Sequence, residues 1–158
     1  MSAPADTVTF LFSDIEGSTA RWEAHREAMQ EAVARHDELM RSVIERHGGC
    51  VFKTVGDEFC TAFANAKDAL AAAIEAQYAL RERDWSSIEG LRVRMAIHAG
   101  AVEHRDNDYF GPPVNRVARL LSVAHGEQIV LSETVASSIG DSLAEGFTLR
   151  DLGSHRLK

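Results

Sequence analysis

The sequence lacks the features that mark secreted, membrane-spanning and nucleic-acid-binding proteins. Its 158 residues include only two cysteines, well below the cysteine density of small disulfide-stabilised domains. No apolar run approaches the roughly 20 residues needed to cross a bilayer, and the N-terminal residues carry no basic segment before an apolar stretch, as a secretory signal would. The net charge of −7 disfavours binding to nucleic acid or to an anionic membrane. We therefore expect a cytoplasmic protein with no nucleic-acid partner and no membrane partner.

Proline is also scarce, with three residues, and there is no internal repeat, low-complexity tract or proline- and glycine-rich linker. Residues 1–158 are expected to form a single domain, because this length is typical of one. Apolar residues at 45% and charged residues at 26% are an ordinary globular balance. Cys50 and Cys60 flank a predicted hairpin, without the spacing of a zinc site. A disulfide and two free thiols both fit this placement, and buried free thiols in a reducing compartment are the preferred interpretation.

An alternation of strand and helix patterns predicts an α+β fold. Residues 7–13, TVTFLFS, are mostly apolar, β-branched or aromatic, which favours a buried strand. Apolar residues at helical spacing follow, and they predict one long helix that is capped by Ser18 or Thr19 and ends near His47. Further patterns predict strands at 50–55, 58–63, 91–97 and 128–131, helices at 66–83 and 114–124, a turn-rich segment at 104–113, a short helix capped by Ser132 and a C-terminal hairpin. This order fits a ferredoxin-like antiparallel sheet core covered by helices.

Two aspartates follow predicted strands at points where a polar side chain reaches the edge of the core. Asp14 follows the first strand, and Asp57 lies at the tip of the predicted hairpin. In a ferredoxin-like core the first strand and this hairpin are neighbours, so the two carboxylates could converge. Two such oxygen ligands suit Mg²⁺ or Mn²⁺, usually with phosphate oxygens as further ligands. The alternative is that Asp14 is a cap or turn residue and that Asp57 is an ordinary turn residue.

Three other features are compatible with an anionic ligand. The turn at 15–19 contains Gly17 and opens a helix, whose first backbone N–H groups can bind phosphate, although the turn lacks the GK[ST] of a Walker A motif. Lys53 lies among apolar strand residues and either meets a partner or extends its ammonium group to the sheet edge. Asn115 and Arg119 are i and i+4 on a predicted helix, so they reach the same place. An amide beside a guanidinium suits a phosphoryl group, and a solvated helix face is the alternative.

Three motifs in order, VTFLFSDIEGST, FKTVGDEF and DYFGPPVNRVAR, resemble the signatures of class III nucleotidyl cyclases, and the resemblance runs from about Thr7 to the C-terminus. It implies an adenylate cyclase, which converts ATP to 3′,5′-cyclic AMP and pyrophosphate. It further implies two Mg²⁺ or Mn²⁺ ions per site, assisting attack of the ribose 3′-hydroxyl on the α-phosphate. In this family the metal ligands and the other site residues come from different chains. The resemblance therefore implies a head-to-tail homodimer with two equivalent shared sites.

The resemblance also implies a role for each matching residue. Lys53 and Asp108 match the pair that recognises adenine, and Asp108 is placed mainly by its spacing to Asn115. The other implied roles are metal binding by Asp14, Asp57 and the backbone carbonyl of Ile15, triphosphate binding by Gly17, Ser18, Thr19 and Lys158, ribose orientation by Asn115, and stabilisation of charge at the α-phosphate by Arg119.

Three rival functions remain open on the sequence. A guanylate cyclase is one, because base choice depends on only two residues. A diguanylate cyclase is another, because residues 55–59, VGDEF, nearly spell that family's GGDEF hairpin; Lys53 and the helix with Asn115 and Arg119 argue against it. The third is a catalytically silent nucleotide-binding or dimerisation module. Such relatives typically lose a metal-binding aspartate or the arginine, and this sequence retains them.

Overall fold

The computed structural model describes residues 6–140, and the predicted C-terminal hairpin lies outside them. Within that range no helix is both long enough and apolar enough to cross a membrane. The strands are β1 (Asp6–Ile15), β2 (Cys50–Val55), β3 (Glu58–Phe63), β4 (Val93–Arg105), β5 (Asp108–Phe110) and β6 (Ile129–Leu131). The helices are α1 (Ser18–Ala24), α2 (Arg26–Arg46), α3 (Ala66–Glu82), α4 (Pro112–Ser122) and α5 (Glu133–Ile139), with one 3₁₀ turn at Ser86–Ile88.

The strands form one sheet with β1 at its centre. The strand order is β2-β3-β1-β4-β5, and all of these neighbours are antiparallel. Strand β6 adds a short parallel pairing to the start of β4, beside the point where β1 ends. The predicted antiparallel sheet covered by helices is therefore confirmed. The uninterrupted apolar run of β1 is explained by its central position, since both of its faces are buried.

The two faces of the sheet carry separate cores. Leu11 and Ile15 of β1 face α2, α3 and α5 in the larger cluster. Phe10 and Phe12, which alternate with them, face α4 through Val117 in the smaller cluster. The period of two along β1 thus assigns each side chain to one core or the other.

The prediction of one long helix from residue 18 to His47 is wrong at His25. There the backbone leaves the helical region, with φ −138° and ψ 57°, and α1 ends where α2 begins. The His25 ring lies 2.6 Å from a carboxylate oxygen of Glu89, which is remote in sequence. The apolar periodicity continues through the break, and nothing local in the sequence marks it.

The turn-rich segment predicted at 104–113 is also corrected. Strand β4 continues to Arg105 and pairs with β5 through a two-residue turn at Asp106 and Asn107. Both turn residues have positive φ, 53° and 61°, which is the backbone of a tight hairpin and is tolerated by Asp and Asn. Asp108, the first residue of β5, is placed by this hairpin.

The two outer strands of the sheet, β2 and β5, approach each other through aromatic rings. The Phe52 ring centroid lies 4.8 Å from that of Tyr109, and Phe10 of the central strand contacts both, at 5.9 and 5.3 Å. A register shift in β2 between Val51 and Lys53 accompanies this contact, as expected of a bulge that bends a strand. The sheet is therefore curved, so that its opposite edges meet on the α4 face.

Close packing of α4 on β4 gives a test of this fold. A Cβ atom at Gly100 would lie 2.5 Å from Cγ and 2.9 Å from Cβ of Pro113, at the start of α4. Gly100→Ala should therefore lower the free energy of unfolding by about 1–3 kcal/mol. The control Ala101→Ser, at the exposed next position, should change it by less than about 0.5 kcal/mol. Urea denaturation measures both, and equal stability of the two variants would contradict the close approach.

Candidate active site

Asp14 lies next to the end of β1, on the face covered by α4. It is paired across the sheet with Arg94 of β4. Arg94 donates from Nε to Asp14 Oδ1 at 2.7 Å and from its terminal nitrogen to Oδ2. This two-pronged bond raises the pKa of the Arg94 guanidinium and holds the carboxylate in one orientation. Asp14 is thus a fixed carboxylate in a sheet, and the interpretation as a cap or turn residue does not describe it.

Asp57 lies in the turn between β2 and β3, close enough to the end of β1 for Asp14 and the Ile15 backbone to affect its pKa. Its carboxyl pKa is raised, first by burial and also by the negative charge of Asp14, while hydrogen bonding to the Ser18 side chain and to the Ile15 backbone lowers it. Its Oδ2 atom is buried and has no hydrogen-bond partner. Asp57 thus combines an unsatisfied oxygen with repulsion from the Asp14 carboxylate.

These properties fit a divalent cation, because an ion would satisfy the free oxygen of Asp57 and offset the repulsion from Asp14. Within residues 6–140 no group of three or more His, Cys, Asp or Glu side chains could hold a metal ion. An ion at Asp14 and Asp57 would therefore need oxygen ligands from the backbone or from a bound molecule. Phosphate oxygens are the usual source for Mg²⁺.

The turn after β1 differs in detail from its prediction. The N-cap of α1 is Gly17, in the left-handed region at φ 68°, with no side-chain capping bond. Neither Ser18 nor Thr19 is the cap, because both are already in the first helical turn. The Ser18 side chain instead lowers the pKa of the Asp57 carboxyl, so the turn and Asp57 influence each other.

Lys53 and Asp108 form an ion pair across the curved sheet. Lys53 Nζ lies 2.8 Å from Asp108 Oδ2, with side chains 47% and 24% exposed. The contact raises the pKa of Lys53 and lowers that of Asp108. The two residues lie on the outer strands β2 and β5, so the pair exists because Phe52 and Tyr109 bring these strands together. Lys53 therefore meets a partner, which was one of its two predicted alternatives.

Asn115 and Arg119 are exposed on α4. Their i, i+4 spacing on one helix is as predicted. Within the described residues, no side-chain hydrogen bond or ion pair joins them to Asp14, Asp57, Lys53 or Asp108. One chain therefore presents the aspartate pair, the ion pair of Lys53 and Asp108, and an exposed pair on α4 that is bonded to neither. Lys158 lies outside the described residues.

Arg94 is the site residue that sequence reasoning missed. Arg92 and Arg94 alternate with apolar residues in the predicted strand at 91–97, which is typical of a strand with one polar side. The pairing of Arg94 with Asp14 depends on the strand register, however, which the sequence does not give.

The two thiols nearby are free, Cys50 exposed and Cys60 buried, so the expectation that both are buried is wrong for Cys50. Burial raises the pKa of Cys60 to about 12, which makes it an unreactive thiol at neutral pH.

The electrostatics of the aspartate pair predict opposite effects of two similar substitutions in metal-free protein. The Asp57 pKa is raised in the folded state, so its ionised form disfavours folding above that pKa. Asp57→Asn should therefore raise the free energy of unfolding at pH 8 by about 0.5–2 kcal/mol, and the gain should vanish below about pH 4, where the unfolded carboxyl is also protonated. Asp14→Asn should lower stability by about 1 kcal/mol, because Arg94 loses its charged partner.

Chemical denaturation with a chelator present, at several pH values, measures both variants. If Asp57→Asn is destabilising at pH 8 under these conditions, the unsatisfied carboxylate is not a source of instability.

Sequence comparison finds relatives of this chain among known proteins. Residues 1–158 match the family model of the adenylate and guanylate cyclase catalytic domain. An uncharacterised protein of Mycobacterium tuberculosis is 39% identical over 157 residues, covering 98% of this chain and 53% of that protein. An adenylate cyclase of Podospora anserina is 34% identical over 162 residues, covering 87% of this chain and 8% of that enzyme. The chain thus spans about half, or much less, of the length of these curated relatives.

Solved structures show the same fold. An adenylate cyclase of Trypanosoma brucei in its monomeric state is similar with a TM-score of 0.89 and 30% identity, covering 99% of this chain and 87% of that one. The adenylyl cyclase CyaB from P. aeruginosa is similar with a TM-score of 0.82 and 25% identity, covering 96% and 87%. On the match of its whole length and on these relatives, the chain belongs to the family of adenylate and guanylate cyclase catalytic domains.

Proposed function

We propose that residues 1–158 form one catalytic domain of an adenylate cyclase, which converts ATP to 3′,5′-cyclic AMP and pyrophosphate. The observation that carries the choice of ATP is the contact between Lys53 and Asp108. An ammonium group can donate to a ring nitrogen of adenine, and a carboxylate can accept from its exocyclic amine. Guanine presents the opposite pattern of donors and acceptors at those edges. A guanylate cyclase is the second candidate, because the family includes both activities.

The residues divide the remaining work between binding and stabilisation of the transition state. The N-terminus of α1, at Gly17, Ser18 and Thr19, presents backbone N–H groups suited to the triphosphate. Asn115 orients the ribose. Arg119 stabilises the negative charge that develops on the α-phosphate. Because this interaction is stronger in the transition state than in the ground state, it speeds the reaction. We assign no side chain of the described residues as general base.

Asp14, Asp57 and the backbone carbonyl of Ile15 would hold the metal, two Mg²⁺ or Mn²⁺ ions per site. When bound, such ions neutralise charge on the phosphates and activate the ribose 3′-hydroxyl for in-line attack. The unpartnered, buried Oδ2 of Asp57 supports this assignment. The Asp14 carboxylate is held by Arg94, so it enters the site already oriented.

The active unit is proposed to be a head-to-tail homodimer with two equivalent sites. The support is that Asn115 and Arg119 are exposed on α4 and that, among the described residues, no side-chain hydrogen bond or ion pair joins them to the aspartate pair. Two antiparallel chains let each complete the other's site. We also infer a cytoplasmic location, because the free thiols of Cys50 and Cys60 suit a reducing compartment.

Incubation with ATP or GTP and Mn²⁺, followed by mass identification of the product, tests the proposal. Cyclic AMP is the expected product, with GTP a poorer substrate. Cyclic GMP as the main product, or cyclic di-GMP, would overturn the proposal, and no product would favour a silent module. The paired change Lys53→Glu with Asp108→Gly should lower kcat/KM for ATP about tenfold or more. Unchanged selectivity for ATP over GTP in that variant would remove these two residues from base recognition.

Mixing two inactive variants tests the shared site. Asp14→Ala and Arg119→Ala should each be inactive alone. In an equal mixture half of the dimers are mixed and each holds one intact site of two, so about a quarter of the wild-type activity should return. Native mass spectrometry shows whether mixed dimers form. Mixed dimers without activity would contradict a site shared between chains.

A further inference from the structure

Glu16 lies inside the turn proposed to bind metal and triphosphate, between Ile15 and Gly17. Its backbone N–H donates to the Arg92 carbonyl at 2.8 Å. Its side chain turns away from the turn, and Oε2 accepts from the backbone N–H of Gly126 at 2.9 Å. Glu16 is only partly exposed, and its partner lies 110 residues away, in the loop between α4 and β6. This carboxylate therefore joins the turn to the loop that follows α4.

The loop is built to receive this carboxylate. A Cβ atom at Gly126 would lie 2.5 Å from Cβ of Arg92 and 2.9 Å from Oε1 of Glu16, so only glycine lets the three backbones approach. The next residue, Glu127, donates its N–H to the Val93 carbonyl at 2.9 Å. The loop is thus fixed to the start of β4, and it offers Glu16 a rigid donor.

Arg21 holds the same turn from the other side. Its Nε donates to the Gly90 carbonyl at 2.7 Å, and its terminal nitrogen lies within 3.3 Å of the Glu16 carbonyl. The turn is therefore held by contacts to the segment before β4 and to the loop after α4. Of these, the bond to Gly126 is the one that the Glu16 side chain makes.

A carboxylate beside a triphosphate-binding turn is otherwise unfavourable, because two negative groups repel each other. The bond to Gly126 keeps the Glu16 charge directed away from the turn, and its negative charge also favours the charged form of Arg94. Glu16 is therefore compatible with the site when its side chain is oriented toward Gly126.

We propose that Glu16 is a positioning residue, which fixes the metal- and triphosphate-binding turn by anchoring it to the loop that follows α4. This inference rests on the proposed function of that turn. Fixing a binding turn lowers the cost of ordering it when ligand binds. Loss of the anchor should therefore weaken binding of metal and nucleotide more than it slows the chemical step.

Four variants distinguish the effect of the Glu16–Gly126 contact from the effect of the Glu16 charge. Glu16→Ala removes both the contact and the charge, Glu16→Asp keeps the charge but shortens the reach, and Glu16→Gln keeps an acceptor oxygen at the same reach. Gly126→Ala disturbs the contact from the other side. Glu23→Ala, at an exposed position of α1, is the matched control.

The first readout is kinetic and thermodynamic. The Ala and Asp variants of Glu16, and Gly126→Ala, should raise the half-saturating Mn²⁺ concentration and the KM for ATP about ten- to a hundredfold, by analogy with other residues that orient metal ligands. The kcat at saturation should fall less than KM rises. Glu16→Gln and Glu23→Ala should stay within about twofold of wild type. A Gln variant as impaired as the Ala variant, or no change in any of the three, would overturn the proposal.

The second readout does not require activity. Hydrogen exchange followed by mass spectrometry should show faster exchange around Gly126 and in residues 16–19 for Glu16→Ala and Glu16→Asp, and not for Glu16→Gln. Mn²⁺ binding with a non-hydrolysable ATP analogue, followed by electron paramagnetic resonance, gives affinities without turnover. A wild-type protein that binds Mn²⁺ and the analogue but makes no cyclic nucleotide would overturn the cyclase proposal alone. Unchanged exchange and affinity in Glu16→Ala would overturn the positioning role alone.

Discussion

The contact between Phe52 and Tyr109 is the interaction on which the arrangement of the site depends. These rings lie on the two outer strands of the sheet, β2 and β5, which share no ladder hydrogen bonds. Their centroids are 4.8 Å apart, and Phe10 of the central strand packs against both. Aromatic pairs of this kind contribute roughly 0.5–1.5 kcal/mol each beyond area burial. The curvature that they stabilise is what places Lys53 against Asp108.

In contrast to these aromatic contacts, the aspartate pair contains a carboxylate that lowers the stability of the chain. Asp57 is partly buried beside another carboxylate and keeps one oxygen unpartnered, which costs stability in the metal-free chain. Asp14 is compensated by Arg94, and that bond also orients it. A buried carboxylate that lowers stability is typical of a group retained for its chemistry, and the proposed cation would offset this cost.

The elements that were predicted well are those whose signals are local. The apolar run of β1, the Gly56 turn of the hairpin and the Ser132 cap of α5, which accepts from the Val135 N–H, each depend on a few adjacent residues. The break at His25 was not predictable, because it coincides with a contact to Glu89, 64 residues away. Helical periodicity records which residues face the core, and it does not record where the chain bends.

The candidate site likewise combines features that are visible in the sequence with features that depend on the fold. The types and spacing of Asp14, Asp57, Asn115 and Arg119 are visible in the sequence, since each belongs to a short motif. The partners that orient the site residues are not, because Arg94 depends on the register between β1 and β4 and Gly126 on a loop approach across 110 residues. Sequence patterns therefore identify which groups can react, while the folded chain determines what holds them.

The turn after β1 combines a motif that is visible in the sequence with a contact that depends on the fold. Its outer surface carries Gly17 and Ser18 at the start of α1, and its inner side is held by Glu16 to the loop that leaves α4. In the proposed dimer, the turn serves one site and α4 of the same chain serves the other. Within each chain, the Glu16–Gly126 bond therefore joins the turn of one proposed site to the loop that follows the helix of the other.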